Sequence, residues 1–163
     1  MKRLIIMRHG EAESPSRGSK DKDRELTEDG IREVSLKGIW LVEQGLSIDK
    51  MLISTATRTS QTAKLIQERC NVPDTATFYY DAMYNAALGT LLEIVENLND
   101  KYETIMIVAH NPGVSYLTEY FSNEYVGMIP SCIVSIEFEV DSWQAASKGL
   151  GELKLCKNEI IGQ

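Results

Sequence analysis

Short strand-like runs alternate with helix-periodic segments along the first three quarters of the chain. Four runs of mainly apolar or β-prone residues predict strands, at 4–7, 51–53, 77–79 and 104–109. Apolar side chains at helical spacing predict four helices, which begin near residues 27, 56, 88 and 112. This alternation is typical of a mostly parallel sheet with helices on both faces.

The pattern changes beyond Pro130. Residues 132–140 predict a long strand and residues 152–157 another, and the loop between them suggests an antiparallel hairpin. We therefore predict an α/β fold, a three-layer α/β/α sandwich whose mostly parallel central sheet carries an antiparallel edge strand. Because no repeat, low-complexity tract or linker divides the sequence, we expect residues 1–163 to form a single domain.

The segment around the first helix contains local markers. Thr27 is expected to cap the helix N-terminus, and Gly45 suits its C-terminal stop. Residues 13–25, just before it, are polar and lack apolar anchors, which predicts a mobile flap at the carboxyl end of the first strand. A solvated loop without a special role is the alternative, and the sequence does not decide whether this loop closes over a ligand.

Charge and hydropathy exclude several classes of protein. A formal net charge of −7 at pH 7 does not suit a protein that coats nucleic acid or an anionic membrane. No run approaches the roughly 18 apolar residues of a membrane span. The four apolar residues that follow Lys2 and Arg3 are too few for a signal peptide. We expect a cytoplasmic protein with neither a nucleic-acid partner nor a membrane partner.

Potential metal ligands are few. Cys70, Cys132 and Cys156 are widely spaced, which indicates reduced thiols, and with two histidines they do not form a zinc pattern. The sequence has no Gly-rich phosphate loop ending in Lys-Thr and no acidic metal cluster. We expect no metal ion and no organic cofactor. Since no predicted helix has a surplus apolar face, we expect a monomer.

Both histidines of the chain directly follow predicted strands. His9 lies in the corner Arg8-His9-Gly10, where the glycine is expected to permit a sharp turn, and His110 follows the fourth strand. Arg58 follows the second strand at the start of a helix. The carboxyl ends of parallel strands form the edge at which open α/β sheets bind ligands. We therefore expect these two arginines and two histidines to face one crevice.

These four side chains suit phosphoryl chemistry. Two arginines can hold a tetrahedral oxyanion, and a helix N-terminus offers further N–H donors. A neutral His9 could attack phosphorus if its other ring nitrogen were held by a carbonyl near Gly10. Water would then hydrolyse the phosphohistidine intermediate, while Arg8, Arg58 and His110 stabilise the phosphoryl oxygens. Guanidinium and imidazolium groups would supply the charge without magnesium.

Four segments resemble motifs of the histidine phosphatase superfamily, whose members include phosphoglycerate mutases and acid phosphatases. Residues 7–12 resemble its Arg-His-Gly signature, and residues 26–30 resemble its Leu-Thr-x-x-Gly turn. Residues 54–63 resemble its Ser-x-x-x-Arg-x-x-x-Thr-Ala segment, and residues 108–111 resemble its second-histidine strand. The four motifs occur in the family's order, and together they are far more specific than the first alone.

The resemblance implies a phosphoglycerate mutase-like fold and a role for each matching residue. His9 would be the phosphorylated nucleophile, and Arg8, Arg58 and His110 would complete a pocket for phosphate or sulfate. Asn111 is a further candidate for substrate binding. The short chain and residues 84–86 resemble the SixA-type phosphohistidine phosphatases, which act on phosphohistidine in signalling proteins. The implied partner is a phosphorylated protein such as a histidine-containing phosphotransfer domain.

The proton donor has no clear match. Larger superfamily members place an acidic donor after the third strand, whereas residues 80–87 here show no such motif. Asp81 and Glu11 are candidates, and a surface or capping role is the alternative for each. An alkoxide leaving group needs a strong acid, but an imidazole leaving group needs less help because its own pKa is near neutrality. A weak or missing acid therefore favours a P–N substrate.

Three functions follow as hypotheses. The first is a metal-independent phosphatase that acts on phosphorylated protein histidine through an intermediate on His9. The second is a small-molecule phosphomonoesterase or mutase, which the short chain disfavours because it lacks insertions for a specific lid. The third is a non-catalytic phosphoprotein-binding module, which the intact set of two histidines and two arginines disfavours.

Overall fold

The computed structural model describes residues 1–161, which form a six-stranded sheet and four α-helices. The strands are β1 Lys2–Arg8, β2 Lys50–Ser54, β3 Thr77–Tyr80, β4 Thr104–Ala109, β5 Ile133–Phe138 and β6 Glu152–Lys157. The helices are α1 Glu28–Glu43, α2 Thr57–Cys70, α3 Leu88–Glu96 and α4 Gly113–Ser122. Short 3₁₀ turns lie at Asp21–Asp23, Asp74–Ala76, Asp81–Met83 and Trp143–Ala145.

The strands lie side by side in the order β3-β2-β4-β1-β5-β6. The first four strands in this order are parallel, β5 is antiparallel to β1, and β6 is antiparallel to β5. The predicted α/β class with a mostly parallel sheet is therefore confirmed. β5 runs opposite to the four parallel strands. It lies one position inside the sheet, since it pairs with β1 on one side and with the edge strand β6 on the other.

Alternate side chains of β1 point into two separate cores. Leu4 and Ile6 pack with α3, α4 and the inner face of the hairpin. Ile5 and Met7 pack with α1 and α2 on the other face. This period of two in a fully buried strand produces the predicted three layers. Within residues 1–161, no helix is long and apolar enough to cross a bilayer.

The ends of α1 follow the local sequence. The Thr27 hydroxyl accepts the Gly30 N–H at 2.9 Å and so satisfies one of the free donors of the first turn. Gly45 directly follows the C-terminal Gln44 with φ of 69°, a left-handed conformation that glycine adopts without strain. Both predicted ends of the helix are confirmed.

The corner after β1 is held by its neighbours on three sides. The His9 N–H donates to the Ala109 carbonyl at 3.1 Å, and the His9 carbonyl accepts the Ser131 N–H at 2.9 Å. The Gly10 N–H donates to Oγ1 of Thr62, on α2, at 3.0 Å. Because all three backbone groups have partners, the histidine side chain leaves the sheet in a fixed direction.

Gly10 is required for space and not for its backbone freedom. It is not among the glycines with positive φ, so the expected sharp turn needs no left-handed residue here. A Cβ added at Gly10 would lie 2.6 Å from Cγ2 of Val34 and 3.3 Å from the Gly30 carbonyl oxygen. The glycine thus lets α1 pack directly against the corner that carries His9.

Gly30 provides the other half of this close approach and gives the first prediction. A Cβ at Gly30 would overlap the backbone carbonyl oxygen of Glu11. We expect Gly30→Ala to lower the free energy of unfolding by about 1–3 kcal/mol, measured by chemical denaturation, because backbone cannot yield as a flexible side chain does.

Gly89, near the start of α3, is the matched control for this variant. A Cβ there would meet nothing within 4 Å. Gly89→Ala should therefore raise the free energy of unfolding by up to about 1 kcal/mol through helix propensity alone. Equal stabilisation by both alanines would contradict the close contact between α1 and the β1 corner.

Candidate active site

The carboxyl ends of β1, β2 and β4 open into one cleft of about 380 Å³. The side chains that the sequence predicts to meet there line it together: Arg8, His9, Arg58, His110, Asn111 and Glu11. The register explains this, since Arg8 at the end of β1 lies opposite Ala109 at the end of β4. The two histidines therefore leave the sheet side by side, with ring centroids 5.4 Å apart.

His9 is held with one ring nitrogen fixed and the other directed towards a guanidinium. Its Nδ1 lies 2.7 Å from the Gly10 carbonyl oxygen, which can only accept, so Nδ1 carries the proton. Its Nε2 accepts from Nε of Arg58 at 3.4 Å. Burial, together with the positive charges of Arg58 and Arg8, lowers the pKa of His9 to about 4. His9 is thus a neutral imidazole at pH 7, and its unprotonated Nε2 accepts a long hydrogen bond from Arg58.

Arg58 is almost fully buried and uses three donors within the protein. Besides Nε, its Nη1 donates to the Asp21 carbonyl at 2.8 Å and its Nη2 donates to Oδ2 of Asp21 at 3.2 Å. The residue lies in the first turn of α2, where free N–H groups and the helix dipole also favour an anion. Arg58 therefore brings a fixed positive charge next to the nucleophilic nitrogen.

His110 is oriented by the hydroxyl of Ser54 at the end of β2. Oγ of Ser54 lies 2.7 Å from Nε2 of His110 and accepts the Ala56 N–H at 3.4 Å. The Ser54 hydroxyl can donate its proton to Nε2, and in that arrangement the neutral ring of His110 carries its own proton on Nδ1. That Nδ1 is buried and has no hydrogen-bond partner among the described residues. It is a donor that an anion's oxygen would satisfy.

The charge state of His110 differs from the sequence expectation. Burial lowers its pKa to about 3, and repulsion from His9 and Arg58 acts in the same direction. The imidazolium expected from the sequence is therefore a neutral imidazole at pH 7, and the guanidinium groups alone supply the positive charge. A bound phosphate dianion would shift this balance back towards imidazolium.

Arg8 is the second fixed cation of the cleft. Its Nη1 donates to the Met128 carbonyl at 2.9 Å, whereas its Nε is buried without a hydrogen-bond partner among residues 1–161. Burial lowers the pKa of Arg8 from its ordinary value, and Arg58 adds to this effect. A guanidinium with an unsatisfied buried N–H is costly alone and is stabilised by an oxyanion.

Asn111 lines the cleft but is tied to the segment behind it. Its Oδ1 accepts the Ser115 hydroxyl at 2.6 Å, and its Nδ2 lies 3.4 Å from the Met128 carbonyl. One donor of the amide stays available to a bound molecule. The predicted role of Asn111 in substrate binding therefore stays a prediction that the geometry permits.

The two candidate proton donors lie in different places. Glu11 lines the cleft, and its Oε1 accepts the hydroxyl of Thr27 at 2.8 Å, which holds the carboxylate at the N-terminus of α1. Asp81 is not among the residues that line the cleft; its Oδ1 is held by Thr55 and Lys22 at 2.6 and 3.0 Å. These hydrogen bonds lower the pKa of Asp81, which suits an ion-pair role better than proton donation.

The loop 13–25 contributes two residues that sequence reasoning missed. Asp21 and Arg24 both line the cleft, and Nε of Arg24 donates to Oδ1 of Asp21 at 3.0 Å. Hydrogen bonds from Tyr84, Arg24 and Arg58 hold the pKa of Asp21 below its usual range. The loop is anchored by these polar contacts, for which an apolar pattern gives no indication. The mixed charges of residues 21–24, next to the Leu-Thr turn, were the available clue.

The arrangement can bind a tetrahedral oxyanion and present a nucleophile to it. Arg8, Arg58 and the Nδ1–H of His110 supply donors near the unprotonated Nε2 of His9. Donors fixed in a desolvated site stabilise developing charge without reorganising. Within residues 1–161, no group of three or more His, Cys, Asp or Glu side chains is placed to hold a metal ion.

The sequence of this chain is similar to those of several known proteins. A family model described as "Histidine phosphatase superfamily (branch 1)" matches residues 4–77. An uncharacterized protein of Mycobacterium tuberculosis is 38% identical over 111 residues, which are 68% of this chain and 66% of that protein. The phosphohistidine phosphatase SixA of Escherichia coli is 29% identical over 115 residues, which are 70% of each chain.

The fold likeness extends over almost the whole chain. The solved structure of the protein histidine phosphatase SixA complexed with tungstate has a TM-score of 0.82, 24% sequence identity and 96% coverage of both chains. This confirms the predicted phosphoglycerate mutase-like fold. The match to the mycobacterial relative covers just under two thirds of that protein's length.

The lowered pKa values of the two histidines give the second prediction. Since the chain contains two histidines, ¹³C-histidine labelling gives a spectrum of two rings. With pKa values of about 4 for His9 and about 3 for His110, neither ring should titrate between about pH 5 and 8, where an ordinary histidine changes charge. Added inorganic phosphate should move both midpoints upward.

The lowered pKa values of the histidines should also make the free energy of unfolding depend on pH. The unfolded chain binds protons near the ordinary pKa of 6.5, whereas folded His9 binds one near 4. The free energy of unfolding should therefore fall as the pH drops from about 6.5 towards 4. Ring midpoints near 6.5 in phosphate-free buffer would contradict the buried, neutral pair.

Proposed function

We propose that this chain, which belongs to the histidine phosphatase superfamily, hydrolyses phosphohistidine on a signalling protein through a phosphohistidine intermediate on His9. The observation that carries the proposal is the state of His9. Its proton is fixed on Nδ1 by the Gly10 carbonyl, and its unprotonated Nε2 accepts from Nε of Arg58 in the cleft that Arg8 also lines.

In the first step, Nε2 of His9 attacks phosphorus in line with the scissile P–N bond. The Nε2–P bond forms as the bond to the substrate's ring nitrogen breaks, and that ring takes the bonding electron pair. Charge on the three equatorial oxygens is met by Arg8, Arg58 and the Nδ1–H of His110. The ring of His9 becomes positively charged, and the Gly10 carbonyl stabilises the Nδ1–H of that cation.

In the second step, water attacks the same phosphorus from the side that the product has left. The P–Nε2 bond breaks, and its electron pair returns to His9, which is again neutral with its proton on Nδ1. Inorganic phosphate leaves as H2PO4⁻, which carries both protons of the attacking water. In a loose transition state for phosphoryl transfer, the attacking water needs little help from a general base. Positioning of the reactants and the fixed positive charges therefore account for most of the catalysis.

The leaving group argues for a P–N substrate over an ester. A protonated phosphoimidazole departs as a neutral ring and needs no proton from the enzyme, whereas an alkoxide needs a general acid. Glu11 is engaged with Thr27, and Asp81 is engaged with Thr55 and Lys22. The names of the Escherichia coli relative and of the tungstate complex support the same substrate class.

The partner that fits this chemistry is a phosphorylated protein such as a histidine-containing phosphotransfer domain. The cleft lies at the carboxyl ends of the strands, and the largely exposed loop 13–25 contributes Asp21 and Arg24 to its lining. We further propose that the enzyme works as a monomer in the cytoplasm without a metal ion. The following experiment distinguishes this phosphatase from a small-molecule phosphomonoesterase or mutase and from a non-catalytic binding module.

The third prediction concerns the covalent intermediate. We expect a ³²P-phosphorylated phosphotransfer domain to transfer label to this chain, and the label should survive a neutral quench and be lost in acid. His9→Ala should remove the label and lower phosphate release by more than about 1,000-fold, because no other group replaces the nucleophile. The measurement is label on each protein after gel separation, with released phosphate counted in parallel.

Other substrates provide the controls. A panel of phosphate esters, including a sugar phosphate and 3-phosphoglycerate, should be hydrolysed slowly. Fast turnover of one ester would assign a small-molecule phosphomonoesterase or mutase in place of the proposed activity. Binding of the phosphorylated domain without release of phosphate would assign a binding module.

The fourth prediction tests whether Asp81 acts as the proton donor. Asp81→Asn should change kcat far less than the roughly 100-fold that loss of a general acid costs. Asp29→Asn on α1, which removes a carboxylate from another exposed ion pair, is the matched control. A drop of 100-fold or more in Asp81→Asn alone, with normal thermal stability, would identify Asp81 as the proton donor.

A further inference from the structure

Asp21 makes the largest set of contacts of any acidic side chain in the cleft. Its carboxylate accepts from Nη2 of Arg58 at 3.2 Å, from Nε of Arg24 at 3.0 Å and from the Tyr84 hydroxyl. Its backbone carbonyl accepts from Nη1 of Arg58 at 2.8 Å. One loop residue thus joins α2, its own loop and the segment that follows β3.

The contacts of Arg58 divide between two edges of its planar guanidinium group. Nη1 and Nη2 form the outer edge, and Asp21 occupies it with a carbonyl and a carboxylate oxygen. The inner edge consists of Nε–H and the second N–H of Nη2, which point the same way by covalent geometry. Nε–H is directed at Nε2 of His9, so the inner edge faces the position of the transferred phosphoryl group.

The long side chain of Arg58 needs such a restraint. Arginine has a long side chain with many rotamers, and a guanidinium is most effective when its donors are fixed before the ligand arrives. Arg58 is 3% exposed, whereas the Asp21 side chain is 45% exposed. The partly exposed carboxylate keeps its charge and offsets part of the cost of the buried cation.

We propose that Asp21 is a positioning residue for Arg58: it holds the outer edge of the guanidinium so that the inner edge faces the phosphoryl group on His9. This rests on the proposed function, because it assigns Arg58 to the transferred phosphoryl group. Tyr84 supports the arrangement through its hydroxyl, and Arg24 braces the other carboxylate oxygen.

A role of Asp21 as a competitor of phosphate predicts the opposite change in anion binding. If the carboxylate competed with phosphate for Arg58, its removal would tighten anion binding. Simple electrostatics also predicts tighter binding, since the variant loses a negative charge next to an anion site. Weaker binding after removal of Asp21 is therefore specific to a positioning role.

The fifth prediction is tested by anion binding on the full chain. Orthovanadate and inorganic phosphate serve as probes, with affinity measured by calorimetry. We expect Asp21→Ala to weaken vanadate binding by about 10-fold or more, which is the order of one charge-assisted hydrogen bond. Asp21→Asn, which keeps an acceptor oxygen, should lie between Asp21→Ala and the wild type.

Asp23, on the same 3₁₀ turn, is the matched control. Asp23→Ala removes the same charge from the turn, and none of the described hydrogen bonds joins its side chain to Arg58. It should bind vanadate as tightly as the wild type or slightly more tightly. Thermal unfolding of each variant identifies a general loss of structure, and Tyr84→Phe serves as the second test if Asp21→Ala does not fold.

An NMR measurement reports on Arg58 itself. In a ¹⁵N-labelled sample, the Nε–Hε resonance of Arg58, assigned by its loss in Arg58→Lys, should be sharp and slowly exchanging. It should broaden or exchange faster in Asp21→Ala and stay unchanged in Asp23→Ala. Unchanged or tighter vanadate binding by Asp21→Ala would overturn the proposal, and so would weaker binding with an unchanged Arg58 resonance.

These readouts are independent of the substrate. A wild-type chain that binds vanadate but releases no phosphate from phosphohistidine would refute the proposed function and leave the anion-binding test of Asp21 valid. Normal phosphohistidine hydrolysis with an unaltered Arg58 resonance in Asp21→Ala would refute the positioning role alone.

Discussion

The hydrogen bond from Nδ1 of His9 to the Gly10 carbonyl decides which nitrogen of that imidazole can react. It fixes the proton on Nδ1 and leaves the lone pair on Nε2, which faces Arg58 and the cleft. The carbonyl can do this because the corner itself is fixed, by Ala109 on β4 and Thr62 on α2. The sheet and α2 therefore set the direction of a nucleophile that the ring alone would not specify.

Burial then assigns charge among the groups of the cleft. The ends of parallel strands desolvate both imidazoles, so their pKa values fall to about 4 for His9 and about 3 for His110. Both stay neutral at pH 7, one as a lone-pair donor and the other as an N–H donor set by Ser54. Arg8 and Arg58 keep their charge and concentrate it locally within a chain whose formal net charge is −7. The site can therefore select anions although the protein as a whole repels them.

Local and periodic features could be predicted from the sequence, and long-range polar contacts could not. The run at 104–109 matches β4 because strand propensity and burial agree there, and the Thr27 cap depends on a donor three residues away. The steric need for a glycine at position 10 could not be predicted, because the neighbour Val34 comes from a helix and not from the turn. Asp21 was missed because polar anchors across 37 residues leave no periodic pattern.

The tautomer of His9 decides the mechanism, since a ring with its proton on Nε2 has no lone pair on that nitrogen with which to attack phosphorus. Long-range ¹H–¹⁵N correlation spectra of the ¹⁵N-labelled chain at pH 7 distinguish protonated from unprotonated ring nitrogens, and two histidines can be assigned by single substitution. We predict a protonated Nδ1 and an unprotonated Nε2 for His9. A protonated Nε2 with a bare Nδ1, or a doubly protonated ring at pH 7, would contradict it.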